Sequence, residues 1–454
     1  MSWRALNAWR TLGPLLFVGA ALLLTPAGAK ADGSCALGSF GATNLPCADW
    51  RPYSDSSPFN SRIGAHPQVI SDSEPIVDRL NHGGPVNSLV AGDPDRGASP
   101  TFWSTPDDPA YRVECDSFGG RCAISGMEIH IPKQATPQGG YARLKDCGGC
   151  SANEGNWDHD AHMTIVDQAS GWEYDFWAVQ AKADGVVTIG WGGRTRIDGN
   201  GLGSGGVAAG FGNLAGVIRA PEFVSGHIDH ALTIAVPCVS GTVWPATGRA
   251  YECDQHGMSS GNRLELGSRV QLQISDAQLA KLPTWQRGIA RALRDYGAYV
   301  NDTTGQEDQW GPSLEGAATY TDFGRNDPDA SVNPSDDTGD YNHNGWRETW
   351  FYLAKRIDWS NLRVLAPCDP AVGCDEGSPP SSTPSPKPSG SASASTPAGA
   401  FMRSASASGT WGRARSAATQ PRRGRRSRAI RAGRLARAHG HSHRAHRARR
   451  PRSA

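Results

Sequence analysis

The sequence predicts a mainly β fold, an antiparallel β-sandwich of jelly-roll type with helices appended at its C-terminal side. The first supporting observation is a hairpin pattern in residues 157–180, where residues 162–166 and 172–179 alternate on either side of a turn-forming stretch. The second is a change of period. Alternating stretches recur up to residue 274, whereas apolar residues afterwards recur three and four positions apart, as they do on a helix.

The turn of this hairpin predicts its register. A four-residue loop sets Thr164 opposite Asp175 and His162 opposite Trp177, because loop length determines the pairing. Side chains alternate between the two faces of a strand. One face is therefore expected to be an apolar core surface, and the other to carry His162, Thr164, Glu173, Asp175 and Trp177. Histidine and tryptophan beside two carboxylates indicate a reactive or sugar-binding groove. A solvated strand face is the alternative.

The net charge of +1 hides a strong asymmetry along the chain. Residues 32–376 contain 25 basic and 44 acidic residues, a net charge of −19, and residues 377–454 carry 17 basic residues and no acidic one. We expect a β-rich globular domain at residues 32–376, a Ser/Pro/Ala-rich linker at 377–410 and a disordered Arg/His-rich basic tail at 411–454.

The first 31 residues have the pattern of a secretory signal peptide. Arg4 and Arg10 precede an apolar stretch at residues 15–24 that is too short to span a bilayer. A membrane anchor is the alternative. We expect a secreted, extracellular product without a transmembrane segment in its mature form. Its basic tail is expected to bind an anionic polymer or surface by charge, which would associate the protein with the cell wall.

An even number of cysteines, ten in all, follows the predicted signal peptide, which favours disulfides in an exported protein. Pairing sequence neighbours is the simplest choice and gives Cys35–Cys47, Cys115–Cys122, Cys147–Cys150, Cys238–Cys253 and Cys368–Cys374. A zinc site is the alternative for Cys147 and Cys150, with His159 and His162 as the remaining ligands.

Other elements follow from local patterns. An amphipathic helix is expected at residues 70–80, capped by Ser71 or Ser73. Further strands are expected at residues 123–131, 185–197, 230–236 and 270–274. The glycine-dense residues 198–216 lack the Gly-Lys-Ser/Thr of a phosphate loop and predict a flexible surface loop.

Two helices are expected after the strands. The first begins at Ser275 or Asp276 and runs to about Val300, with Pro283 near its start or dividing it. The second covers residues 347–357, where aromatic and aliphatic residues cluster. The apolar residues of the first helix are expected to pack on the core.

An Asp/Asn-rich loop at residues 326–345 is expected between these helices. Asp340, Asn342, Asn344 and the following glycine match the first half of a calcium loop, and Glu348 stands at its ninth position. The closing bidentate glutamate is missing. Calcium is the one cofactor that the sequence suggests, and an ordinary polar loop is the alternative.

Several separated stretches resemble a group of exported, mostly actinobacterial proteins of unassigned function. They are SPFNSRI at residues 57–63, HMTIVDQASGWEYDFW at 162–177, GWGGRTRIDGNGLGSG at 190–205, AGVIRAPEFVSGHIDHAL at 215–232, RALRDYGAYVND at 291–302 and DWSNLRVLAPC at 358–368. A looser resemblance is to concanavalin-like jelly-roll glucanases and lyases, whose strand motif is Glu-x-Asp-x-x-Glu. Glu173 and Asp175 match its first two acids, and no third glutamate follows in register.

These observations favour a carbohydrate-active protein that cleaves an extracellular or cell-wall polysaccharide by acid/base chemistry. A glycoside hydrolase needs two carboxyl groups, one of them with a raised pKa. A polysaccharide lyase acting on uronates would use a histidine base and an arginine that neutralises the sugar carboxylate. The catalytic candidates are His162, Glu173, Asp175 and His230, and the substrate-binding candidates are Trp177, Arg194 and Arg219.

Two other classes of protein stay open as alternatives. A non-catalytic glycan-binding or wall-binding protein would use the same groove for binding alone. A glutamate-type peptidase would use its acids to activate water. The chain contains no H-E-x-x-H motif, so a zinc peptidase of that kind is not indicated.

Overall fold

The structure is a computed structural model that describes residues 35–368, with gaps at residues 85, 92–98, 204, 251, 333–337 and 344–345. The side chains of residues 340–343 and 346–348 are also outside the description. The predicted signal peptide, linker and basic tail lie outside the described residues. Within the described ranges, no helix combines the length and the apolar character needed to cross a bilayer.

Short β-strands make up most of the regular structure. In chain order they are β1 (Leu89–Ala91), β2 (Thr101–Ser104), β3 (Ala110–Cys115), β4 (Glu128–His130), β5 (Met163–Asp167), β6 (Trp172–Ala183), β7 (Val186–Arg196), β8 (Leu232–Val236), β9 (Arg269–Leu272), β10 (Ala298–Thr303), β11 (Gly311–Pro312), β12 (Thr338–His343), β13 (Trp346–Phe351) and β14 (Leu362–Leu365). The helices are α1 (Ser73–Gly83), α2 (Ala220–Ser225), α3 (Asp276–Leu279), α4 (Thr284–Asp295) and α5 (Ala318–Thr321). The mainly β prediction is confirmed.

The strands of the described chain form three sheets. Their strand orders are β2-β5-β6-β7-β3-β4, β11-β8-β10-β9-β14 and β1-β13-β12. The first two sheets are mixed, because β2 and β5, β3 and β7, and β8 and β10 pair in parallel. The prediction of antiparallel sheets is wrong for these pairs. Neighbouring parallel strands are joined by long connections. The alternation of residues within one strand does not predict which strand will pair with it.

The β5–β6 hairpin has the predicted register. Thr164 lies opposite Asp175. The predicted pair of His162 with Trp177 falls outside the ladder, because β5 begins one residue after the histidine. Gly171 in the connecting turn has a φ of 70°, a left-handed conformation that glycine adopts without strain.

Both faces of the first sheet are covered at strand β5. On one face a hydrophobic cluster contains Met163, Ile165, Tyr174 and Phe176. Val166 belongs to a second, larger cluster on the other side, which also includes the apolar side chains of α4. Every residue of β5 is buried as a result. The polar face of the hairpin is therefore an interior surface.

The first predicted C-terminal helix is divided into two. The side chain of Ser275 caps α3 by accepting a hydrogen bond from the backbone N–H of Gln278. Pro283 separates α3 from α4. Gly297, with a φ of 74°, ends the helical stretch. Residues 298–300 form β10 and not the last helical turn, because β8 and β9 on either side supply hydrogen-bond partners.

Two other local predictions need correction. Helix α1 confirms the predicted amphipathic helix, but its N-cap is Asp72, and Ser73 instead accepts a hydrogen bond from the backbone N–H of Val364 at 2.8 Å. The second predicted C-terminal helix, at residues 347–357, is wrong. Strand β13 pairs there with β1 and β12, and its aromatic and threonine residues suit a strand once such neighbours exist.

The predicted pairing of neighbouring cysteines is confirmed where the structure describes it. The four described disulfides are Cys35–Cys47, Cys115–Cys122, Cys147–Cys150 and Cys238–Cys253. Cys368 is also disulfide-bonded, and its predicted partner Cys374 lies outside the described residues. The zinc alternative at Cys147 and Cys150 is wrong, because disulfide sulfurs are not thiolate ligands.

Candidate functional site

Glu173 and Asp175, which we call the acid pair, lie two residues apart on β6. Their side chains therefore project from the same face of the strand, as the alternation predicts. Both residues are 0% exposed. The sequence predicts a groove over this pair, and the structure corrects that expectation, because neither carboxyl group reaches the surface. Catalysis by the pair stays a prediction.

Two groups from other parts of the chain donate hydrogen bonds to Glu173. The Tyr53 hydroxyl donates to Oε2 at 2.6 Å, and the backbone N–H of Leu214 donates to Oε1 at 2.9 Å. Buried carboxyl oxygens need such donors, because no water replaces the hydration that they lose. Both oxygens of Glu173 are therefore satisfied.

Asp175 is held by a second set of donors. The Thr164 hydroxyl donates to Oδ1 at 3.0 Å, and the backbone N–H of Asn213 donates to Oδ2 at 3.2 Å. The side-chain amide of Asn213 donates in turn to the Thr164 oxygen at 3.1 Å. Asp175, the cross-strand partner of Thr164, and Asn213, which covers it, therefore both orient the threonine hydroxyl.

The acid pair lies in an unfavourable environment for negative charge. Burial raises the pKa of both carboxyl groups, and repulsion from Glu173 raises the pKa of Asp175 further. Neither group forms a salt bridge with any residue that the structure describes. Two close carboxyl groups in a protein interior do not both ionise near neutral pH.

A glycine-rich stretch covers the acid pair. This covering segment consists of residues 198–216, apart from the undescribed residue 204. A Cβ placed on Gly206 would lie 3.2 Å from Cβ of Asp175, and one on Gly212 would lie 2.9 Å from Oε2 of Glu173. The prediction of a surface loop is wrong here, because glycine lets the backbone pack directly on the carboxyl groups.

Arg219 and His230 meet at another buried carboxylate, that of Glu222. Nε2 of His230 lies 3.0 Å from Oε1 of Glu222, and the Arg219 guanidinium donates to the same oxygen. Nδ1 of His230 lies 2.8 Å from the carbonyl oxygen of Ala231. Both ring nitrogens of His230 therefore lie within hydrogen-bond distance of an oxygen atom.

This ion cluster is internal. Arg219, Glu222 and His230 are each at most 3% exposed. Burial works against ionisation of Glu222, but the positive charges of Arg219 and His230 lower its pKa to about 2. His230 was predicted to be catalytic and Arg219 to bind substrate. Both instead contact the buried Glu222 and do not face the solvent.

Sequence reasoning missed a carboxyl group beside this cluster. Burial raises the pKa of Glu315 to about 7. The Tyr320 hydroxyl donates to its Oε2 at 2.8 Å, and the backbone N–H of Ala220 donates to the same oxygen at 3.3 Å. Glu315 is a single acidic residue in a stretch that contains proline and glycine. No hydrophobic period around it predicts that it is buried.

Trp177 lies on β6, one residue beyond its ladder with β5, and is partly exposed. Its ring stacks on Phe118, with ring centres 6.0 Å apart and an angle of 18° between the planes. Its Nε1–H donates to Oδ1 of Asp160, which is exposed, at 2.9 Å. The indole is therefore held both from one face and at its polar edge. Phe118 and Asp160 were not predicted as site residues.

Asp302 lies close enough to Asp160 and His162 to interact with both electrostatically. Burial raises the pKa of Asp302, and the Asp160 carboxylate raises it further, while His162 opposes the rise. Nδ1 of His162 is buried and has no hydrogen-bond partner among the described residues. We call Phe118, Asp160, His162, Trp177 and Asp302 together the Trp177 surface.

Arg194 lies elsewhere, on the face of another tryptophan. Its Cζ is 4.3 Å from the ring centre of Trp172, and Cζ of Arg196 is 5.2 Å from the same centre. Arg196 is also paired with Asp198 at 2.8 Å. Arg194 thus makes a cation–π contact at the start of β6 and does not join the other predicted site residues.

The four predicted calcium ligands cannot be compared with the structure, because their side chains lie outside the described part. The backbone of Asp340 and Asn342 belongs to β12, and that of Glu348 to β13. The calcium hypothesis stays a prediction. Among the described residues, no group of three or more His, Cys, Asp or Glu side chains is arranged to hold a metal ion.

Comparisons of the chain with protein-family models, with curated proteins and with solved structures found no match. The resemblance to exported actinobacterial proteins and to jelly-roll glucanases stays a prediction. The function has to be argued from the residues themselves.

Proposed function

We propose that the chain is an exported protein whose folded body binds a glycan of the extracellular space or the cell wall at the Trp177 surface. One observation carries this proposal: a partly exposed indole is held by Phe118 at one face and by Asp160 at its Nε1–H edge. A ring that is already fixed loses little side-chain freedom when a ligand arrives. Its apolar face suits the C–H face of a sugar ring.

Polar groups beside the ring support the same ligand class. Asp160 is exposed, and its carboxylate offers an acceptor for sugar hydroxyls beside the ring. Carbohydrates combine apolar ring faces with a rim of hydroxyl groups. A site that recognises them therefore needs an aromatic face and a few fixed polar groups together.

Cleavage of a glycan by the acid pair is the second candidate function. The supporting observation is that Glu173 and Asp175 lie two residues apart on one strand face and that burial raises the pKa of both. Glycoside cleavage requires two carboxyl groups, one of them with a raised pKa. A polysaccharide would reach them only after the covering segment moved. Binding at the Trp177 surface needs no such movement, and we therefore place binding first.

The proposal extends to the architecture and to the tail. The buried faces of the first sheet support a β-sandwich, and we propose the jelly-roll type. Four described disulfides are compatible with export. The arginine-rich tail would add charge-based attachment to an anionic wall polymer.

Titration of the exported chain with soluble wall and extracellular polysaccharides tests the proposal. High salt screens the arginine tail and isolates the contribution of the body. We expect saturable binding that Trp177→Ala and Asp160→Ala each weaken at least tenfold. Asp158→Ala is the matched control, since Asp158 is an exposed neighbour on the same stretch. Circular dichroism melts verify that every variant is folded.

The outcomes separate the two candidate functions. Equal binding by wild type, Trp177→Ala and Asp160→Ala, or no saturable binding to any polysaccharide, overturns the binding proposal. A reducing-end and unsaturated-product assay covers the second candidate. Product that is released by the wild type and lost in Glu173→Gln would support cleavage by the acid pair.

A further inference from the structure

The Cys147–Cys150 disulfide lies near the tip of an exposed loop. The loop, residues 143–156, leaves the sheet where the backbone N–H of Ala142 donates to the carbonyl oxygen of Val179 at 2.8 Å. Cys147 is exposed and Cys150 is partly exposed. The bridge joins residues only three positions apart, the spacing of the C-x-x-C motif.

The approach to these sulfurs is open. A Cβ placed on Gly148 or on Gly149, the two residues inside the bridge, would meet no atom within 4 Å. The contrast with the Cys238–Cys253 bridge is strong, since those residues are 1% and 0% exposed. A thiolate has to reach a sulfur along the S–S direction, so access limits the exchange rate.

Among the four described bridges, this one closes the shortest loop and is expected to stabilise the fold least. A disulfide stabilises mainly by shortening the loop that the unfolded chain can explore, and the effect grows with loop length. The separations in the other described bridges are 7, 12 and 15 residues. Beyond its tip, the loop is held by its own hydrogen bonds, including one from the backbone N–H of Lys145 to the carbonyl oxygen of Asn156 at 2.9 Å.

We propose that Cys147–Cys150 is a thiol–disulfide exchange site that reacts with thiolates outside the cell. A thiolate attacks Sγ of Cys147, forming a mixed disulfide, and the S–S bond breaks so that Cys150 leaves as a thiolate and takes up a proton. A second thiolate attacks the sulfur of the bound reagent, which releases Cys147. The protein gains two electrons and two protons, and two thiols become one disulfide. Exchange at this bridge does not depend on glycan binding at the Trp177 surface.

Limited reduction of the oxidised, exported chain tests the proposal. The protein is exposed to dithiothreitol for increasing times, quenched with N-ethylmaleimide and mapped by peptide mass spectrometry. We expect Cys147 and Cys150 to be labelled at least tenfold faster than Cys35 and Cys47. That second pair is the matched control, because it is also solvent-accessible but closes a longer loop.

A parallel reaction with reduced glutathione identifies the sulfur that is attacked. A glutathione adduct on Cys147 is expected, and thermal melting of the reduced protein should match that of the oxidised one. Labelling of Cys147 and Cys150 no faster than that of Cys35 and Cys47 overturns the proposal. A folded Cys147→Ser/Cys150→Ser variant in which other cysteines are still labelled at the fast rate also overturns the proposal. Another bridge would then be the exchangeable one.

Discussion

Tyr53 and Glu173 are joined by a buried hydrogen bond of 2.6 Å, although 120 positions separate them in the chain. The phenol hydroxyl donates to Oε2, and the same tyrosine lies against the covering segment at Gly201. The acid pair also raises the pKa of Tyr53, after burial itself, because an ionised phenol would face two carboxyl groups. Tyr53 therefore connects the N-terminal part of the described chain with β6 and with the covering segment.

Tyr53→Phe is expected to lower the free energy of unfolding by about 1–3 kcal/mol at neutral pH, because a buried Glu173 oxygen loses its donor. Urea unfolding followed by circular dichroism measures the change. Tyr141→Phe is the control, since Tyr141 is 36% exposed, and its effect should stay within about 0.5 kcal/mol. A loss no larger than that of the control would contradict the prediction.

Asp175→Asn is expected to make stability less dependent on pH. The folded-state pKa of both acids is raised, so the folded chain keeps a proton that the unfolded chain releases. The associated stability is fully present below the unfolded-state pKa, about 4, and is lost as pH rises through the folded-state value. The variant should therefore gain on the wild type as pH increases above about 4.

Melting temperatures of the wild type and of Asp175→Asn, measured from acid to mildly alkaline pH, check this prediction. Asp158→Asn is the control, because hydrogen bonds lower the pKa of the exposed Asp158. That variant should show no gain with rising pH. Parallel curves for the wild type and Asp175→Asn would mean that the acid pair titrates alike in the folded and unfolded chains.

Glu222→Ala is expected to cost about 3–5 kcal/mol, because it leaves the buried charge of Arg219 without its carboxylate and removes the hydrogen-bond partner of His230. The pKa of Glu222 is lowered to about 2, so its contribution is present above the unfolded-state value and is lost only as pH falls toward 2. Chemical denaturation at neutral pH measures the loss. Glu114→Ala removes an exposed ion pair with Arg112 and should cost at most about 1 kcal/mol. Similar costs for both variants would refute the argument.

Gly212→Ala is expected to destabilise the fold by about 1–3 kcal/mol, because the added methyl group would press on Tyr53 and Glu173. Gly149→Ala is the matched control, since a Cβ there meets no atom within 4 Å, and its effect should stay within about 0.5 kcal/mol. Thermal melts give both values. A neutral Gly212→Ala would show that the covering segment does not pack closely on the acid pair.

The hairpin illustrates how much local pattern can predict. The pairing of Thr164 with Asp175 was predictable, because a short turn and strict alternation leave a single register. The same alternation placed Glu173 and Asp175 on one face. The alternation did not predict that this face is covered, because the covering residues Asn213 and Leu214 lie about forty positions further along the chain. The local sequence of β6 does not predict which distant segment packs on it.

Spacing over a few positions was sufficient to predict the register of the β5–β6 hairpin and the residues that share its strand faces, and it favoured disulfides between neighbouring cysteines as the simplest pairing. Only the tertiary structure decided that Arg219 and His230 converge on Glu222, that Trp177 is held by Phe118 and Asp160, and that the acid pair is interior. These contacts join segments far apart in the chain. Their formation depends on how complete sheets and helices pack, which no local period encodes.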